Sequence, residues 1–60
     1  SNVKDDLQGA KKILDLALTR FPDSYSVIYS AAFLYSFELN EYKRGSELYE
    51  MLLKFPKEPK

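Results

Sequence analysis

The dipeptide Phe-Pro occurs twice, at Phe21-Pro22 and at Phe55-Pro56, thirty-four positions apart, and each time it closes a run of residues with helical apolar spacing. A proline pushes the residue before it out of the α region and cannot continue an interior hydrogen-bond ladder. Two such stops at a fixed interval divide sixty residues into segments that look built to one plan. A chain this short buries only about 60% of the surface its unfolded form exposes. Small scaffolds are commonly reinforced by disulfides, a metal or oligomerisation. With neither cysteine nor histidine present, the expectation narrows to well-packed helices, self-association, or support from neighbouring sequence.

The spacing predicts three helices. Over 4–20, Leu7, Ala10, Leu14, Ala17 and Leu18 recur at intervals of three and four, and Ile13, Leu16 and Phe21 widen the stripe, which is an amphipathic helical period. Asp5 and Asp6 fall in its first turn and Arg20 in its last, both favourable to the helix dipole. Asp23 or Ser24 can cap a second helix over 24–39. Its Val27, Ile28 and aromatics from Tyr29 to Phe37 would also suit a strand, but the run is long, lacks alternation and has Ala31-Ala32 at its centre. Being apolar almost all round, it calls for contact with protein on more than one side. Asn40 interrupts the pattern. A third helix is expected over 41–55, with Tyr42, Gly45, Leu48, Tyr49 and Leu52 on one stripe and Lys43/Glu47 and Glu50/Lys54 paired at i,i+4. The tail 56–60 is expected to be disordered or to lead into a further element.

Charge and hydropathy limit the function classes. Nine basic and nine acidic residues cancel, whereas nucleic-acid binders normally carry a basic excess. The start, SNVKDDLQG, has no apolar core and does not read as a signal peptide. VIYSAAFLYSFEL is too short for a membrane span and contains a glutamate. A soluble, intracellular protein, cytoplasmic or nuclear, is expected, and the lack of cysteine fits a reducing compartment. Asp5-Asp6 and Glu47/Glu50 lie on polar faces or at a chain end, not in the clefts that tune acid–base groups, and Gly9 and Gly45 stand alone rather than in a phosphate loop. Neither an enzyme nor a cofactor is expected.

The first and third segments repeat one another. Shifted by thirty-five, Ala10 falls on Gly45, Ile13 on Leu48, Leu14 on Tyr49, Asp15 on Glu50, Ala17 on Leu52 and Leu18 on Leu53; dropping one residue then brings Phe21-Pro22 onto Phe55-Pro56. Self-similarity at this period marks helical solenoids. With Ile28-x-x-Ala31-Ala32-x-x-Tyr35, Gly45-x-x-x-Tyr49 and Pro56, residues 7–56 resemble the tetratricopeptide (TPR) family. AKKILDLAL and GSELYEMLL also resemble the second helix of half-a-TPR (HAT) repeats. Ile28 stands where the TPR pattern has Trp, no Leu-Gly pair is present, and the connection from Tyr35 to Gly45 is one residue longer than the family's.

The resemblance implies an all-α fold of three antiparallel helices, one and a half repeats of an α-solenoid, acting as a protein–protein interaction scaffold that binds a partner or itself. It implies that Ser26, Tyr29, Phe33, Ser36 and Phe37 face a concave groove while Ile28, Ala31, Ala32 and Tyr35 pack internally. Tyr29 and Phe33 have two readings, burial against another helix or the lining of a ligand groove. The family's carboxylate clamp needs basic residues that the second helix lacks. HAT repeats imply the alternative of an RNA-processing or ribosome-assembly component, with Lys11-Lys12 and Lys43-Arg44 as a small basic ridge or simply a solvated face. A three-helix DNA-binding module is disfavoured by the charge balance and by the FPDS turn. Small residues at 31, 32 and 45 should let helix backbones approach closely. Ala31→Leu should therefore lower stability by about 1–3 kcal/mol through overpacking, measured as a fall in urea midpoint; an unchanged midpoint would mean that this face is open.

Overall fold

A computed structural model describes residues 2–56 of the chain. Among them there is no strand. Helix α1 spans Val3–Arg20, helix α2 spans Tyr25–Phe33 and runs directly into a π-helical segment, Leu34–Glu38, and helix α3 spans Tyr42–Leu53. Residues 57–60 of the expected tail lie outside the described residues.

The helix ends have local causes. Asn2 accepts the Asp5 N–H on its side-chain oxygen at 2.9 Å, so α1 starts at the first residue after a good N-cap. Its last turn closes through the Phe21 N–H, which donates to the Ala17 carbonyl at 2.7 Å, and Pro22 forbids continuation. Of the two candidate caps for α2, Ser24 takes the role, with its Oγ accepting the Val27 N–H at 3.3 Å. At the far end the Leu39 N–H reaches back five residues to the Leu34 carbonyl at 2.9 Å, and the Glu41 N–H closes onto the Tyr35 carbonyl at 2.8 Å. Asn40 sits between them at φ 58°, the left-handed conformation that asparagine tolerates better than most residues. The widened π turn takes up one more residue than an α turn would. Helix α3 ends two residues earlier than its spacing predicts, because the Phe55 N–H bonds to Leu52 at 3.2 Å in a tighter three-residue step.

Helix α2 lies in the middle. It packs against both α1 and α3, whereas no Cα of α1 comes within 8 Å of one in α3 among the described residues. The core is Ile28, Ala31, Ala32, Tyr35, Leu48 and Leu52, with Leu14, Leu18, Leu39, Tyr49 and Phe55 packed around it. Across the α2–α3 seam, Tyr25 meets Phe55, Tyr29 meets Tyr49 and Ser36 meets Gly45. The all-round apolar character of α2 is thus answered by a helix on two sides.

Three expectations are corrected. Ile13, Leu16 and Phe21 do not join the packed stripe of α1 but stand exposed, and no residue of α1 is fully buried; with α3 out of reach, α1 has only one neighbour to cover it. Tyr42 is likewise exposed and donates its hydroxyl to Asn40 Oδ1 at 3.2 Å. The ion pairs that form among the described residues are Arg44 with Glu47 and Lys11 with Glu41, each at 3.6 Å, in place of the expected i,i+4 pairs. Exposed pairs of this sort contribute at most about 1 kcal/mol, too little to dictate which partners meet.

The two glycines offer a contrast. A Cβ on Gly9 would meet nothing within 4 Å, while one on Gly45 would collide with the Ser36 Oγ and lie 3.1 Å from the Ser36 backbone nitrogen. Gly9→Ala should raise stability by about 0.5–1 kcal/mol through helix propensity. Gly45→Ala should lower it by about 1–3 kcal/mol. Urea unfolding of both variants reads the difference; equal shifts would contradict the close approach of α3 to the π-helical segment.

Candidate protein-binding surface

Residues four apart on a helix lie nearly one above the other. Tyr25, Tyr29, Phe33 and Phe37 occupy such a row along α2 and its π extension, and each is exposed: Tyr29 by 48%, Phe33 by 46% and Phe37 by 65%. The rings touch one another. Tyr25 stacks on Tyr29 with centroids 6.4 Å apart, and Phe33 meets Phe37 at 5.0 Å. From α3, Tyr49 presents its edge to Tyr29 at 6.1 Å, and Phe55 beyond it meets Tyr25 at 5.5 Å. Edge-to-face and offset contacts are the favoured aromatic geometries, so the Tyr25 end is held by neighbours on α3. Phe33 and Phe37 contact each other and leave their outer surfaces to solvent.

The residues expected to face a groove separate into two groups. Ser26, Tyr29, Phe33 and Phe37 lie on the surface. Ser26 holds its Oγ 3.3 Å from that of Ser24 at the helix start. Ser36 does not join them: it is only partly exposed, with its side chain lying over Gly45. The reason is the π turn, which inserts an extra residue and rotates the remainder of the segment about the helix axis. Ile28, Ala31, Ala32 and Tyr35 are buried. Tyr25 belongs to the row but is not among the expected groove residues, although its place four before Tyr29 signals it. Leu34 is also buried, and nothing in the regular α spacing indicates that.

Tyr35 joins all three helices. Its hydroxyl donates to Asp15 Oδ1 of α1 at 2.7 Å. Lys11 of α1 places its Nζ 5.6 Å from the ring centre, and Arg44 of α3 its Cζ at 6.0 Å, within cation–π range. Burial, then the hydrogen bond to Asp15 and that carboxylate's charge, push the phenol up from 10.0 to about 12. Lys11 and Arg44, which the sequence offers as part of a basic ridge, are therefore each committed to this ring and to Glu41 or Glu47.

A shallow apolar hollow of about 380 Å³ lies at one end of the molecule, where Pro22 and Asp23 come together with Ile28, Met51 and Phe55-Pro56. The two prolines that close the repeated segments, Pro22 and Pro56, thus border one feature. Among the described residues, no group of three or more His, Cys, Asp or Glu side chains is placed to hold a metal ion. No helix among them is long and apolar enough to cross a membrane. Comparison with known proteins adds no relative: no family model, no curated protein and no solved structure matches the chain.

The Tyr35 phenol gives the fold an alkaline limit. The folded state keeps this proton up to about 12, whereas an unfolded phenol releases it near 10.0. In that window the folded state binds more protons, so stability falls as pH rises. The contribution is complete below pH 10 and lost above about 12. Urea unfolding at intervals from pH 9 to 12 should show this decline, and Tyr35→Phe should flatten it; an equally steep decline in the variant would contradict the assignment to Tyr35.

Proposed function

We propose that this chain is a non-enzymatic protein-interaction module of the TPR/HAT type, with α1 as the second helix of one repeat and α2 and α3 as a complete repeat. On this reading α2 runs antiparallel to both neighbours and docks a partner protein, or a second copy, through its aromatic row. The order of contacts supports the arrangement. Partner numbers fall along α3 as they rise along α2, from Tyr25 with Phe55 to Ser36 with Gly45. A helix that touches only its sequence neighbours is what a stacked array requires, whereas a closed three-helix bundle would bring α1 and α3 together.

The observation that carries the function is the exposure of Phe33 and Phe37, side by side on a helix whose opposite face is fully packed. Large rigid rings contribute much contact area at low entropic cost and dominate interface energetics. Fully burying one contributes about 1.5–3 kcal/mol. The surroundings are polar and uncharged on the α2 side, with Ser26 and Ser30 beside the row, which suits an apolar segment of protein better than phosphate. The RNA-scaffold alternative is weaker, because Glu41 and Glu47 lie beside Lys11 and Arg44 and offset their charge, and the chain has no basic excess.

Panning the full chain against a displayed peptide library tests this reading. Recovered peptides should carry apolar anchors, and the double variant F33S/F37S should lower their affinity by about tenfold to a hundredfold, about half of each ring's burial energy being forfeited. Its circular dichroism should remain that of the parent chain, since both rings face solvent. Sedimentation over a range of concentrations separates a partner from a second copy. Failure to enrich any peptide together with a monomer at every concentration, or binding indifferent to both rings, would refute the proposal.

A further inference from the structure

We infer that the aromatic row of α2 is a homodimer interface, across which a second copy of this chain lies antiparallel about a two-fold axis between Tyr29 and Phe33. The inference rests on the reading of that row as a docking surface and names its occupant. Tyr25, Tyr29, Phe33 and Phe37 are all about half exposed or more, and no charged residue occurs from Ser24 to Phe37. In a two-fold interface the same patch meets itself, so a patch carrying one sign of charge repels its own image. This one carries none and can meet its image without that cost.

The two halves of the row differ in a way that a two-fold operation makes complementary. In the tyrosine half, Phe55 meets Tyr25 at 5.5 Å and Tyr49 meets Tyr29 at 6.1 Å, so α3 holds both rings in place. In the other half, Phe33 and Phe37 touch one another at 5.0 Å and turn their outer surfaces to water. The axis lays Phe33 of each copy on Tyr29 of the other, and Phe37 on Tyr25. The phenylalanines then gain a pre-set platform, while the tyrosine hydroxyls reach the rim and stay hydrated. A parallel pairing would leave the less supported Phe33 and Phe37 to cover only each other.

Area and charge set the strength. Covering the open half of each ring removes about 100 Å² from water, hence about 800 Å² over two copies. That falls in the class of transient contacts, with a Kd on the order of 0.1 mM. The first charges beyond the run are acids at both ends, Asp23 and Glu38, and both are exposed. Antiparallel pairing brings Asp23 of one copy toward Glu38 of the other, a repulsion that salt screens. The dimer therefore tightens as salt rises, opposite to an encounter driven by charge attraction.

Sedimentation equilibrium of the full chain up to about 1 mM should show monomer and dimer, with more dimer at about 0.5 M than at about 0.05 M sodium chloride. F33S/F37S should remain monomeric over the same range. Glu38→Lys should tighten the dimer several-fold by facing Asp23, whereas a parallel pairing would gain nothing. Leu53→Glu, at a side chain 83% exposed on α3, should leave the equilibrium unchanged. In an equal mixture of labelled and unlabelled chain, isotope-filtered NOEs should join Phe33 to Tyr29 and Phe37 to Tyr25 between copies. Dimers lost with Leu53→Glu, no gain from Glu38→Lys, or NOEs joining like residues would each overturn the inference. A strict monomer that binds displayed peptides through Phe33 and Phe37 would overturn it alone; one that binds none would also remove the proposed function.

Discussion

Where Ser36 crosses Gly45, the backbone nitrogen of one helix stands 3.1 Å from where the other would carry a Cβ. A Cβ there would crowd that nitrogen and force the Ser36 hydroxyl aside, and much else depends on the approach. With α3 drawn in this far, Leu48 and Leu52 reach Ile28, Ala31 and Ala32 and close the core. The π turn at Leu34–Glu38 is the backbone's means of delivering Ser36 to that spot while Tyr35 still points inward. The same rotation turns Phe37 outward to continue the exposed row. One tight crossing thus fixes both the packed and the open side of α2.

Tyr35 complements this steric constraint with a polar one. A buried hydroxyl without a partner costs about 1–3 kcal/mol, so the phenol ties α2 to the α1 residue that accepts from it, Asp15. The cations above the ring, Lys11 and Arg44, come from the two outer helices, which share no Cα approach within 8 Å among the described residues. The hydrogen bond to Asp15 therefore fixes which side of α1 meets the ring. Apolar packing alone specifies rotation poorly on a helix as thinly buried as α1, and here a polar contact supplies it.

Much of the fold is legible in residue types that act locally. Asn2, Ser24, Pro22, Asn40 and the Phe-Pro stops each work through their own backbone geometry, so their effects need no knowledge of the rest. The inward set Ile28, Ala31, Ala32 and Tyr35 is legible through the repeat-like pattern that carries the resemblance, and all four are buried. Features that escape the sequence depend on the period changing or on neighbours being absent. Ser36 follows an α step on paper and a π step in the structure, and Leu34 is buried for a reason that spacing does not encode. Ile13, Leu16 and Tyr42 are apolar at helical intervals, yet apolarity says what a side chain prefers and not whether another helix is present to receive it. The aromatic row is visible in its middle and end, while Tyr25 sits beside the cap, where Ser24 supplies the stronger local signal.

The single-sided attachment of α1 has a consequence for how the molecule comes apart. Since α1 buries no residue fully and leans on one neighbour only, its detachment would leave the α2–α3 pair with its seam of rings unbroken. Opening is therefore expected to be graded, with backbone amides of α1 exchanging with solvent before those flanking Ile28 and Leu48.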